Sequence, residues 1–200
     1  PNTRRNPVMH FTLCDMLSDL TQNAVEADST VIRVSVRETD KELQVTIEDN
    51  GKGMSPAELK RAEDPFYTDG VKHPGRKVGL GIPFLIQTAE STGGSWSIKS
   101  SKGTAEDADK RGTIVEARFD LTNIDTPPVG DVTGFFRQIL TFDGKYEMLL
   151  SRVLERNGHV TEYTVSRSEL LDALDLAAEG TFSDVGSLAL VGQYLKSLEE

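Results

Sequence analysis

Leu13, Met16, Leu17, Leu20, Ala24 and Ala27 recur at three- and four-residue spacing, which predicts a helix over residues 10–28 with one apolar stripe. Asp15, Asp19, Asn23 and Glu26 fall on the opposite stripe. The period then drops to two over residues 31–36 and 43–47, on either side of Asp40 and Lys41, the pattern of a β-hairpin. Ser55-Pro56-Ala57-Glu58 marks a helix start, with Ser55 as N-cap and Pro56 in the first position. Residues 70–75 read as a loop. Residues 83–90 read as a helix stopped by Gly93-Gly94, and residues 95–100 and 112–119 as strands around a charge-rich loop, 101–111.

The chain changes character at residues 123–130, NIDTPPVG, whose paired prolines indicate a linker or a rigid crossover. Beyond it the pattern predicts a helix (131–142), two strands (146–156 and 159–165) and two helices (168–176 and 184–198). Of the net charge of -10, -7 falls in residues 121–200. So acidic a chain does not grip nucleic acid or an anionic membrane by charge. The longest apolar candidate, residues 78–86, contains two glycines and a proline and falls short of the roughly 18 residues of a membrane span. The opening PNTRRNP has no apolar stretch, and one cysteine, Cys14, excludes an internal disulfide framework. The expectation is a cytoplasmic location.

Three segments carry candidate chemistry. Asp19, Asn23 and Glu26 share a helix face, where a carboxylate and an amide oxygen one turn apart could hold a hydrated Mg²⁺; the plain alternative is a solvated acidic face. Glu48-Asp49-Asn50-Gly51-Lys52-Gly53 follows a strand. Its glycines permit positive φ and close approach of a flat ligand, and Asp49 offers an acceptor for an exocyclic amine; the alternative is a hairpin turn. A calcium loop fails, because with Gly51 in its sixth position the first and twelfth become Thr46 and Ala57. Gly79-Leu80-Gly81 precedes a helix, where free N–H groups would receive phosphate. It is neither a dinucleotide fingerprint nor a Walker A loop, lacking the third glycine of the one and the Gly-Lys-Ser/Thr of the other. Between the glycine segments, residues 64–77 with His73, Arg76 and Lys77 suit a mobile lid, or else an ordinary basic loop. His10, His73 and His159 are weak candidates for a phosphoacceptor, while Cys14 reads as a core thiol and Trp96 as packing.

In this order, DLTQNAVEA, EDNGKGM, DPFYT, VGLGIPF and GTIVEARF resemble the N, G1, F and G2 boxes and the closing Gly-Thr strand of the Bergerat-fold ATPases. That superfamily includes gyrase, the heat-shock chaperone, sensor histidine kinases and mismatch-repair ATPases. The resemblance covers residues 10–120 and is nearest to histidine kinase catalytic domains, though NAVEADSTVIRVSV also resembles the mismatch-repair group. It implies an α/β two-layer sandwich, a mixed and mostly antiparallel sheet with helices on one face. The division expected is an ATP-binding domain over 1–122, a linker over 123–130, and a small C-terminal α+β module over 131–200 that selects a partner; the alternative is that its helices simply cover the ATPase sheet.

The resemblance further implies ATP and Mg²⁺ as ligands, with Asn23 on the metal. Asp49 would accept the adenine amine, with Gly51 and Gly53 shaping the base site, Gly53 beneath the ring, and Thr113 supporting the same contact. Gly79, Leu80 and Gly81 would meet the phosphates, with Lys77 or Arg76 near the terminal one. Asp19 stands where hydrolytic members carry a glutamate base and is one methylene shorter. Nine residues precede His10, too few for the two-helix phosphoacceptor hairpin of histidine kinases, so the expected acceptor is an unidentified partner protein. The implied activity is phosphoryl transfer to that partner or slow hydrolysis. The alternative is a nucleotide-gated regulatory module, anti-sigma-like or associated with a redox enzyme, in which ATP sets only the lid.

Overall fold

The computed structural model describes residues 11–64, 81–103, 110–182 and 184–200. Its strands are β1 (Val31–Glu38), β2 (Glu42–Asp49), β3 (Ser95–Ser101), β4 (Gly112–Asp120), β5 (Glu147–Arg156) and β6 (His159–Ser166). They form one sheet in the order β3-β4-β2-β1-β5-β6. The β1–β5 pairing is parallel and the other four are antiparallel, which is the mixed sheet expected. Alternation sorts the side chains into two faces. Ile32, Val34 and Val36 on β1, Leu43, Val45 and Ile47 on β2, and Val115, Ala117 and Phe119 on β4 are buried. Most intervening positions carry polar side chains, with Arg33 paired to Glu48, Arg37 to Glu155 and Arg118 to Glu42, and Ile114 is an exposed apolar exception.

The helices are α1 (Leu13–Glu26), α2 (Pro56–Glu63), α3 (Gly81–Ser91), α4 (Val132–Leu140), α5 (Arg167–Ala173) and α6 (Val185–Ser197). The apolar stripe of α1 is buried, and its N-terminus is closed by a capping box between Thr12 and Asp15. Ser55 caps α2 and accepts from the Glu58 N–H, while Pro56 stands in the first turn, as the sequence predicts. On the same pattern Asp131 caps α4. Trp96 packs against the core.

Residues 131–200 do not form a core of their own. β5 lies against β1 over eight residue pairs, α4 packs on α1, and Phe135, Phe136, Ile139 and Met148 join one buried cluster with Leu13, Met16 and Ile32. The expected linker is pinned as well, since the N–H groups of Leu13 and Cys14 donate to the carbonyls of Pro128 and Val129 at 2.9 and 3.0 Å. A parallel neighbour requires a crossover, and NIDTPPVG with α4 supplies it. Buried Arg167 locks the far side, donating to the carbonyls of Leu140, Tyr146 and Gly180 with its guanidinium over the Tyr146 ring.

A chain ended after Asn123 would strip β1 of its parallel partner and uncover the α4-facing side of α1. It is expected to aggregate or to melt without a cooperative transition, as circular dichroism on heating would show. A sharp transition near that of the full chain would contradict a shared core.

Candidate functional site

The register extends the apolar rows of the inner face into a polar row at one end. Leu43, Val45 and Ile47 are followed at the same period by Asp49, which pairs with Ile32 on β1 and with Thr113 on β4. Thr113 in turn pairs with Ser100 on β3. A carboxylate and two hydroxyls therefore stand on the helix-facing side, where the core ends. Asp49 Oδ1 accepts from the Gly51 N–H at 2.8 Å and from the Ser29 hydroxyl at 3.2 Å. Ser100 Oγ accepts from the Met54 N–H and lies 2.8 Å from Thr113 Oγ1, so the loop after β2 is tied to β3 and β4.

Burial pushes the Asp49 carboxyl above its ordinary 3.8, opposed by hydrogen bonds from the Gly51 N–H, Ser29 and the Thr113 N–H. No lysine or arginine among the described residues forms an ion pair with it. The opposite end of the same face differs. There Arg152, 1% exposed, donates to Glu38 at 2.7 Å and to Glu199 at 3.0 Å, and Arg156 also reaches Glu38. One polar end of the core is neutralised from within; the other leaves a desolvated carboxylate with acceptor capacity.

The last turn of α1 is stitched to this loop. The Lys52 N–H donates to the Ala27 carbonyl at 2.9 Å, and Asn50 Oδ1 accepts from the N–H groups of both Thr30 and Val31 at 2.9 Å. Arg111 Nε holds the Asn50 carbonyl at 3.1 Å. A Cβ on Gly51 would fall 2.6 Å from Ser29 Oγ, and one on Gly53, where φ is +62°, would strike the Ser101 carbonyl oxygen. Both glycines are thus required by close approach of the chain itself.

Asp19 and Asn23 sit one turn apart on the exposed side of α1. Gly81, the first residue of α3, packs there, and a Cβ on it would lie 3.7 Å from Asp19 Cβ and 3.1 Å from a Leu20 methyl. Gly81 therefore neighbours Asp19, with Asn23 one turn further along α1, and the residue after Asn23 is joined through Ser29 to Asp49. The expected contributions of Lys77, Gly79 and Leu80, the lid cation Arg76, and His10 and His73 lie outside the described residues. His159 is at the β5–β6 turn, beside the Arg152 end of the sheet and away from Asp49. No cluster of three metal-ligating side chains occurs among the described residues. A magnesium ion, which takes six oxygens, would therefore need phosphate oxygens and water beside Asn23.

A cleft of about 640 Å³ lies elsewhere, between the starts of α1 and α4, lined by Cys14, Asp15, Asp131 and Arg137 among others. Burial, aided by Asp131, pushes its thiol up to about 12, so Cys14 is a core residue and not a nucleophile. The roles of Ser29, Asn50, Ser100 and Arg111 were not anticipated from sequence. Alternation alone could have placed Ser100 on the inner face, in register after Trp96 and Ile98.

The chain belongs to the histidine kinase-, DNA gyrase B-, and HSP90-like ATPase family, whose model matches residues 11–123. It is 29% identical over 120 residues to the signal transduction histidine-protein kinase AfsQ2 of Streptomyces coelicolor, covering 60% of this chain and 21% of that protein. It is 32% identical over 112 residues to the sensor protein ChvG of Agrobacterium fabrum, covering 54% and 18%. The chain thus spans about a fifth of the length of these relatives. Among solved structures, the N-terminal domain of a DNA repair protein superposes with a TM-score of 0.51 at 15% identity, covering 77% of this chain and 52% of that one. That likeness shows the fold. No helix among the described residues is long and apolar enough to cross a membrane.

Two variants test the site. The raised Asp49 pKa means that the folded chain holds this proton more tightly than the unfolded chain. The resulting penalty is absent below the ordinary 3.8 and grows as pH rises through the folded value. Asp49→Asn is therefore expected to raise the melting temperature of the ligand-free chain at neutral pH, with the gain fading in acid; a lower melting temperature at neutral pH would contradict it. Gly53→Ala is expected to cost at least about 2 kcal/mol in denaturant unfolding, from positive φ and collision with a backbone carbonyl. A cost near zero would show that the loop has room to move.

Proposed function

We propose that the chain binds ATP with Mg²⁺ and passes the terminal phosphate to a partner protein, or slowly to water. The observation that carries this reading is Asp49, a half-buried carboxylate on the core face with no cation among the described residues and with acceptor capacity to spare. Such a group discriminates a ligand that donates, as the adenine amine does, from one that presents a carbonyl at the same place. Thr113 supports the same contact, and Gly51 and Gly53 hold the loop that borders the base. Asn23 would hold the magnesium, whose charge offsets that of the phosphates when bound. The N–H groups at the start of α3, with Gly79, Leu80 and Lys77 before it, would receive phosphate oxygens.

Asp19, exposed beside Gly81, is the candidate to orient or deprotonate the attacking group. Its short reach favours transfer to a well-placed acceptor over rapid hydrolysis. The family match supports nucleotide chemistry, and the likeness to a histidine-protein kinase of Streptomyces coelicolor supports a protein acceptor. Residues 131–200, with their acidic surface, are proposed to select a partner that presents a basic patch. The second reading, a nucleotide-gated regulatory module, rests on the same shortened Asp19.

Calorimetry with Mg²⁺ should show ATP binding, weak GTP binding, and strong loss of ATP affinity in Asp49→Asn. Equal affinity for the two nucleotides would end the adenine reading. γ-labelled ATP then separates the activities: label on a protein supports transfer, label in phosphate supports hydrolysis, and retention in ATP supports the module.

A further inference from the structure

Ser29 lies outside the N, G1, F and G2 boxes, yet it joins the two halves of the site. It is 5% exposed, just beyond the end of α1, and its hydroxyl lies 2.6 Å from the Ala24 carbonyl and 3.2 Å from Asp49 Oδ1. A serine hydroxyl has one proton to donate, so two acceptors share it. The shorter contact holds Ser29 on the helix that carries Asn23, and the longer one places it against the carboxylate. The backbone of Gly51 presses on the same oxygen, leaving no space for a Cβ. Ser29 and the Gly51 N–H both donate to Oδ1, and the Thr113 N–H also reaches the carboxyl, which leaves the remaining acceptor capacity of Oδ2 for a ligand.

We propose that Ser29 is a positioning residue for base recognition, fixing Asp49 through Oδ1 so that Oδ2 faces the exocyclic amine of an adenine nucleotide. The inference rests on the adenine reading given above. Ser29 touches no ligand and acts only through Asp49. Its contribution therefore depends on whether the ligand has an amine to offer, whereas a residue that merely supports the fold contributes equally to any purine.

The test is a cycle of two proteins and two ligands. Dissociation constants are measured by calorimetry for the wild-type chain and Ser29→Ala, each with ATP and with purine riboside triphosphate, which lacks the exocyclic amine. Ser29→Ala is expected to weaken ATP about tenfold, the loss typical of a hydrogen bond to a charged group, and to leave purine riboside triphosphate unchanged. Equal weakening of both ligands, or of neither, overturns the positioning role. A wild-type chain that binds the two ligands alike overturns the Asp49 reading itself, and this inference with it, so the two failures are distinct. Should Ser29→Ala not fold by circular dichroism, Ser29→Gly also removes the hydroxyl without adding an atom and carries the same expectation.

Discussion

The junction between the end of α1 and the loop after β2 is the constraint on which the rest depends. Asn50 holds the N–H groups of Thr30 and Val31, the Lys52 N–H holds the Ala27 carbonyl, and Ser29 bridges Ala24 to Asp49. Helix and loop are otherwise related only through the packing of α1 on the sheet and the length of the β-hairpin. With these bonds, the helix face carrying Asp19 and Asn23 stands in one fixed relation to Asp49. Such preorganisation matters because binding and transfer both fall off steeply when groups are misplaced by about 1 Å. The glycines follow from the same constraint, since no side chain fits where Gly51 meets Ser29 or Gly53 meets Ser101.

Both ends of the sheet's inner face depart from an apolar core, and they do so differently. At one end Arg152, Glu38, Glu199 and Arg156 balance one another, a network centred on buried Arg152 and Glu38 that tethers the C-terminal residues to β5. At the other, Asp49 is held by neutral donors, and its ionised form opposes folding through desolvation. A local conflict of this kind, kept where the rest of the core is consistent, is the physical mark of a site.

Much of this was legible in the sequence because it is local. The α1 stripe, the hairpin and the Ser55–Glu58 capping box depend on residues within a few positions of one another. Asp49 and Thr113 were found by motif, and alternation explains why both face inward. The long-range contacts were hidden. Nothing in MLLSRVL announces that it will lie parallel to VIRVSVR, more than a hundred residues earlier, and paired prolines leave both a linker and a rigid crossover open, without showing that Pro128 and Val129 accept bonds from α1. Gly51 and Gly53 read in the sequence as clearance for a ligand, and the structure adds a close approach by the chain itself. Ser29 escaped because a serine after a helix has many ordinary reasons to be there.

The most direct test of the account is an NMR titration of the isotope-labelled chain, with ADP first and Mg²⁺ second, following the Asp49 carboxyl and the Asn23 side-chain amide. The account requires Asp49, Gly51 and Thr113 to shift with ADP alone, and Asn23 to shift further when the metal is added. Shifts confined to the cleft around Cys14 and Asp131, with Asp49 and Asn23 unmoved, would contradict it.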